Sequence, residues 1–280
     1  MNIIKFLDEF TTDRLQQPMS SRREMFSQLG SISKKAAMLA VPFGLATAGN
    51  KAHAQDVGDV PAIFNLALTL EYLEAEFYMK ALESPVLGST GKAREIYEQI
   101  SKHEDAHVAF LKQALGNGAI DKPTFDFTVG GNFDPFMQNT STSMDTAYTQ
   151  LLILAQAFED TGVRAYKGQA ANLIGQGELL TAALQIHSVE ARHASEIRRL
   201  RGLEGWITGN TTGIPDLGVE AANDGVALVY EGEQNTNQGG VDVTTLGSSD
   251  PFSFESSTQA YDEPMDGQTA STIAGLFIVS

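Results

Sequence analysis

The sequence predicts an all-α core: a four-helix bundle with a long crossover between its second and third helices, followed by an irregular C-terminal extension. Three observations lead there. Four segments carry apolar residues at helical spacing, most of them over roughly twenty residues or more. The links between helices one and two and between three and four are short, whereas 27 residues, 116–142, separate two from three. The second pair of helices also repeats the residue pattern of the first.

The first helix is expected from about Asp59 to Leu82, with Pro61 in the first turn, where a missing N–H leaves no bond unmade. The second runs from about Thr90 to Leu115 and stops before Gly116 and Gly118. Segment 116–142 is rich in Gly, Phe, Asp and Pro, as a crossover link would be. The third helix runs from about Ser143 to Ala171, and the fourth from about Gln176 to Arg201, ended by Gly202. Short links make each pair antiparallel neighbours.

The composition changes near Gly202. Residues 203–280 hold 12 acidic side chains and no Lys or Arg. Trp206, Val226 to Tyr230, Phe252 and Phe254 are apolar islands, and Ser271 to Val279 is apolar enough to dock. The bundle is therefore assigned to 55–203, and residues 204–280 to an acidic extension packed on it, with short strands allowed.

Charge and cysteine usage exclude several function classes. The chain has 280 residues, 19 Lys plus Arg, 35 Asp plus Glu, a net charge of −16 and no Cys. A disulfide scaffold, a cysteine zinc site, a thiolate iron–sulfur cluster and a cysteine nucleophile are ruled out. The negative charge argues against nucleic acid and anionic membrane surfaces as partners. No apolar run reaches the roughly 18 residues of a spanning helix.

Residues 1–54 read as an address. Ser21-Arg22-Arg23-Glu24-Met25-Phe26 resembles a twin-arginine export signal, although that pattern prefers Phe where Met25 stands. The uncharged stretch Ala36 to Ala48 follows, then Lys51 and Ala52-His53-Ala54, which fits cleavage before Gln55. The expected location is the periplasm or an otherwise exported one.

The informative pattern lies in the repeat. Glu71 falls on Glu159 at an offset of 88, with Ala67 on Ala155 and Tyr78 on Tyr166. Glu104 falls on Glu190 at an offset of 86, with His107 on His193 and Gly116 on Gly202. Each half thus supplies one lone Glu and then Glu-x-x-His. Residues three apart share a helix face, so Glu104 with His107, and Glu190 with His193, point the same way. Glu71 and Glu159 sit on apolar stripes. Four carboxylates and two imidazoles aim at the interior, a burial costing several kcal/mol per charge, about 5 or more if uncompensated. Two divalent cations would balance four carboxylates. The oxygen-rich set with one imidazole per ion suits iron or manganese, with zinc as another occupant. With 17 Glu and 4 His over residues 55–280, chance gives about 0.3 Glu-x-x-His pairs, and there are two.

This pattern resembles the ferritin-like superfamily of di-iron and di-manganese carboxylate proteins. Leu66 to Tyr78, and Tyr261-Asp262-Glu263-Pro264 before an apolar C-terminus, are similar to exported ferritin-like proteins related to desiccation-associated proteins. The resemblance implies that Glu104 and Glu190 bridge two metal ions, that Glu71 and Glu159 are terminal carboxylates, and that His107 and His193 bind one ion each.

Glu74, one turn from Glu71, is the rival ligand, but its repeat partner is Gly162. Glu74, Tyr78, Tyr166 and His187 are candidates to support the ligands by hydrogen bonds. His103 is expected at the periphery. Asp105 and Asp160 adjoin ligands in sequence, point elsewhere on their helices, and are read as solvated or supporting.

The implied activity is oxidoreductase chemistry on peroxide or dioxygen, catalase-like or ferroxidase-like, in stress protection. The absence of a thiolate centre or nucleotide motif tilts the reading toward peroxide. The alternative is a structural or stress-related binding protein whose metal site is mainly structural. Homo-oligomerisation is left open, and the 78 residues after Gly202 argue against a ferritin-type storage shell.

Overall fold

The computed structural model describes residues 59–139, 141–210, 213–214, 220–247 and 251–279. The export signal expected over 1–54 lies outside them. The bundle consists of α1 (Val60–Glu83), α2 (Lys92–Leu115), α3 (Met144–Ala170) and α4 (Gly177–Leu200). After it come α5 (Glu220–Tyr230), a two-residue hairpin of β1 (Asn237–Gln238) and β2 (Val241–Asp242), α6 (Phe254–Gln259) and α7 (Gly267–Gly275). The strands pair antiparallel, Asn237 opposite Asp242 and Gln238 opposite Val241.

Helix ends follow local chemistry. Pro61 lies in the first turn of α1. The Ser143 hydroxyl accepts from the Thr146 N–H and caps α3. Gly116 and Gly202, at φ 55° and 75°, close α2 and α4. α1 packs on α2 and α3 on α4, as the short links require.

The crossover link is not a loose loop. Its Phe125, Phe127, Phe133 and Phe136 are buried. Phe77 of α1 stands among Phe127, Phe136 and Phe158, with ring centroids 5.1–5.7 Å away. Such edge and tilted contacts add about 1 kcal/mol each to area burial. The C-terminus joins this cluster through Phe277, 4.8 Å from Phe158. Its backbone pairs with the link: Asp126 N–H donates to the Phe277 carbonyl at 2.8 Å, and Val279 N–H to the Thr124 carbonyl at 2.9 Å.

α3 is the central helix. Its residues from Leu151 to Tyr166 are all buried, because α4 and the bundle cover one side and the extension covers the other. A helix apolar on all sides is what such a position demands. On the outer side Met265, Ala270 and Ile273 pack with Leu66, Leu70, Ala157 and Ala165. The extension crosses α3 at Gly168, where a Cβ would lie 1.8 Å from the Met265 carbonyl oxygen, so only glycine fits.

Asp160, read as solvated or supporting, is not solvated. It is buried, paired with Arg198, and accepts from the Tyr230 hydroxyl at 2.5 Å. The reason is the covering of the outer face of α3, invisible in helix periodicity. Arg164, one turn on, is fully buried too. It meets Glu233 Oε1 at 2.8 Å and donates to the carbonyls of Val229, Glu231 and Glu263. These bonds hold the extension on the bundle.

Candidate metal centre

The repeat becomes a spatial near-symmetry at the middle of the bundle. α1 supplies Glu71, α2 Glu104 and His107, α3 Glu159, and α4 Glu190 and His193. All six converge, and the four glutamates have no exposed surface. Two overlapping groups offer ligand atoms within 4.8 Å of one another: Glu71, Glu104, His107 and Glu190 form one, and Glu104, Glu159, Glu190 and His193 the other. Glu104 and Glu190 belong to both.

Each imidazole turns Nδ1 inward. His107 Nδ1 lies 3.1 Å from Glu71, 3.0 Å from Glu104 and 3.2 Å from Glu190. His193 Nδ1 lies 2.9 Å from Glu104 Oε1 and 3.3 Å from Glu159 Oε2. The tyrosines cross between the halves. The Tyr78 hydroxyl donates to Glu159 Oε1 and the Tyr166 hydroxyl to Glu71 Oε1, both at 2.5 Å. Each lone glutamate is therefore oriented by the tyrosine of the other half.

Glu74 is a fifth buried carboxylate of the cluster. Its repeat partner explains how it fits. A Cβ on Gly162 would lie 3.3 Å from Glu74 Oε1 and 2.9 Å from Glu190 Oε2. The missing side chain on α3 is the room that Glu74 and Glu190 occupy.

The electrostatics are unbalanced. Burial and the charges of Glu190 and Glu71 push the Glu74 pKa well up. Burial and the Glu104 charge do the same to Glu190, with His107 opposing. Burial raises Glu104 to about 7, with His107 and His193 pulling it back. Burial alone would lower both imidazoles. The Glu71 charge and contacts to Glu104 and Glu190 instead hold His107 far above its ordinary value. The Glu159 charge and contacts to Glu104 take His193 to about 11. Among the described residues no Lys or Arg pairs with any of these five glutamates.

Divalent cations fit this donor set. Glu104 Oε1, Glu159 Oε2, both oxygens of Glu190 and His193 Nδ1 are buried and make no well-aligned hydrogen bond among the described residues; their close contacts are ion pairs within the cluster itself. Buried polar atoms are rarely left so, and a cluster of them facing one point is the mark of an ion site. Oxygen donors plus one imidazole per group could hold metal ions.

Two supporting residues depart from expectation. His187 does not reach a ligand: its Nδ1 bonds the Val163 carbonyl at 2.9 Å, tying α4 to the α3 backbone. His103, expected at the periphery, lies half-buried against His193, with ring centroids 5.1 Å apart. The signal was available, since His103 is one turn before His107 on the same face. Asp105 is exposed, as read. An apolar cavity of about 330 Å³ lies away from the cluster, lined by Phe133, Leu154, Val226 and Ile273.

The family model described as ferritin-like domain matches residues 59–203. That is more than half of the chain, and the protein belongs to this family. Searches of the curated proteins and of the solved structures return no match.

Proposed function

We propose that the cluster holds two iron or manganese ions, and that the protein is an exported oxidoreductase acting on peroxide or dioxygen in stress protection. The observation that carries this reading is the pair of overlapping buried donor groups sharing Glu104 and Glu190, which no Lys or Arg pairs with among the described residues. When bound, a redox-active metal pair supplies electron steps and open positions for a small oxidant.

The chain's own residues would divide the work. Glu104 and Glu190 hold both ions. Glu71 and His107 complete one position, Glu159 and His193 the other. Tyr166 and Tyr78 restrain the terminal carboxylates by their 2.5 Å hydrogen bonds. In the metal-free cluster, burial and the Glu190 charge push the Glu74 pKa up and favour its protonated form. A small apolar pocket of about 20 Å³ is lined by Ala67, Leu70, Leu111, Ile186 and Tyr166. Its lining residues Ala67, Leu111 and Ile186 lie one helical turn, about 5.4 Å, from Glu71, His107 and Glu190.

Among the described residues no helix is long and apolar enough to cross a membrane. Export by the twin-arginine route, with cleavage near Ala54, and a periplasmic location belong to the same proposal. They rest on Arg22, Arg23 and the uncharged stretch after them. The likeness to desiccation-associated proteins supports the stress role.

Turnover tests the reading. Manganese-loaded protein should release dioxygen from hydrogen peroxide, or iron-loaded protein should consume peroxide or dioxygen as ferrous ion is oxidised. Absence of both, together with a lower melting temperature on metal removal, would leave the structural alternative instead.

A further inference from the structure

His103 has no part in the six-residue donor set, yet it is bonded to one member of it. Its ring is within 12° of parallel to that of His193, and its Nδ1 lies 2.8 Å from His193 Nε2. On the other side, His103 Nε2 lies 2.6 Å from the Gln99 side-chain amide. His193 turns its remaining nitrogen, Nδ1, toward Glu104 and Glu159.

A metal ion bound to His193 through Nδ1 would fix the protons along this chain of contacts. An imidazole that binds a metal through Nδ1 carries its proton on Nε2. His193 Nε2 is therefore the donor, and His103 Nδ1 must accept. A neutral imidazole has one acceptor and one donor nitrogen, so His103 holds its proton on Nε2 and donates it to Gln99. Gln99 Nε2 is the atom facing His103, so with metal bound the amide turns over to present its carbonyl oxygen. An imidazolium at His193 gives the same direction, because its Nε2 still donates.

The other half of the bundle has no such support. At the repeat offset of 86, His103 falls on Val189, which cannot accept a hydrogen bond. Among the described residues no hydrogen bond reaches His107 Nε2. A metal-bound histidine whose far nitrogen donates to an acceptor is held in plane and made a stronger ligand, and loss of the acceptor costs about 10–100-fold in metal affinity.

We propose that His103 is a positioning residue that makes the two metal positions unequal, with the one served by Glu159 and His193 the tighter. This rests on the metal-pair reading above. Near-twofold donor geometry would otherwise give two similar positions. The His103–Gln99 arm removes the equivalence and sets an order of filling.

The test is a calorimetric titration of the metal-free full chain with manganese(II) alone. The wild type is expected to bind in two resolved steps. His103→Val, which copies the other half, should weaken the tighter step about tenfold or more and bring the two together. His103→Asn, whose side-chain oxygen takes the place of Nδ1, should restore most of that loss. Binding by His103→Val as tight as wild type would overturn the role of His103 alone, and equal loss in both variants would overturn its acceptor role. No uptake by the wild type would instead overturn the metal-pair reading. If His103→Val does not fold, the histidine nitrogen spectrum of the zinc(II)-loaded wild type decides. His103 should be neutral with its proton on Nε2, and an Nδ1–H tautomer or an imidazolium would contradict the inference.

Discussion

Glu159 and Asp160 are neighbours on α3 and sit in two different buried polar clusters. Asp160 faces outward to Arg198 and the Tyr230 hydroxyl, beside a second pair, Arg164 with Glu233. Each acid there has a cation of the chain's own. Glu159 faces inward, to a cluster of five glutamates with two histidines and no Lys or Arg among the described residues. Both clusters pay desolvation, but only in the outer one does each acid pair with an arginine, even though Glu233 Oε2 lacks a hydrogen-bond partner there. The outer cluster fastens the acidic extension to the bundle. The inner one has no Lys or Arg partner among the described residues and could hold metal ions. One helix thus carries a structural network and a binding site back to back.

The sharpest break in this comparison is Glu104→Ala. It removes a donor common to both groups, and bound metal should fall from two equivalents to one or fewer by mass spectrometric metal analysis. Two retained equivalents would sink the assignment of Glu104. On the other face, Arg198→Met leaves Asp160 buried without its cation. The expected loss is about 3–5 kcal/mol in denaturant unfolding, with metal content unchanged. Metal loss there would mean the two clusters are coupled.

Gly168→Ala tests the fastening without touching a charge. Its methyl group would displace the Met265 backbone, and the expected cost is about 1–3 kcal/mol, with faster proteolysis of the extension. Normal stability would show that the extension crosses α3 elsewhere.

pH separates metal-free from metal-bound protein. Glu104 is raised from an ordinary 4.5 to about 7, so the metal-free fold binds this proton more tightly than the unfolded chain does. Its stabilisation by that proton is lost as pH rises from 4.5 through about 7. The stabilisation from His193, raised from 6.5 to about 11, is complete below 6.5 and lost as pH rises through 11. Metal ions compete with the same protons. Affinity for manganese(II) should therefore rise with pH through about 7, with proton release on binding; a flat profile would contradict the electrostatics. The smallest effect is expected from Tyr166→Phe, which removes one donor to Glu71. It should cost about 1–3 kcal/mol and leave both metal equivalents in place.

Much of the bundle was legible in the sequence. Helix starts at Val60, Lys92, Met144 and Gly177 fall within two residues of the expected ones, because apolar period and glycine stops act locally. The convergence of the six donors was legible too, since i, i+3 spacing on a helix fixes direction. Asp160 and Arg164 were not, because their partners are 38–99 residues away and mostly backbone carbonyls, which no residue type announces. The short helices of the extension were hidden for a related reason. They are stabilised by the bundle surface rather than by their own few residues. His187 and His103 show the limit of helical phase: it gave the face, but not which atom across the interface would be met.

The central claim is that the inner cluster holds a metal pair. The most direct measurement is the metal content, by inductively coupled plasma mass spectrometry, of protein purified without chelators. Close to two equivalents of iron or manganese per chain are expected. No bound metal, and none taken up on anaerobic reconstitution, would contradict it.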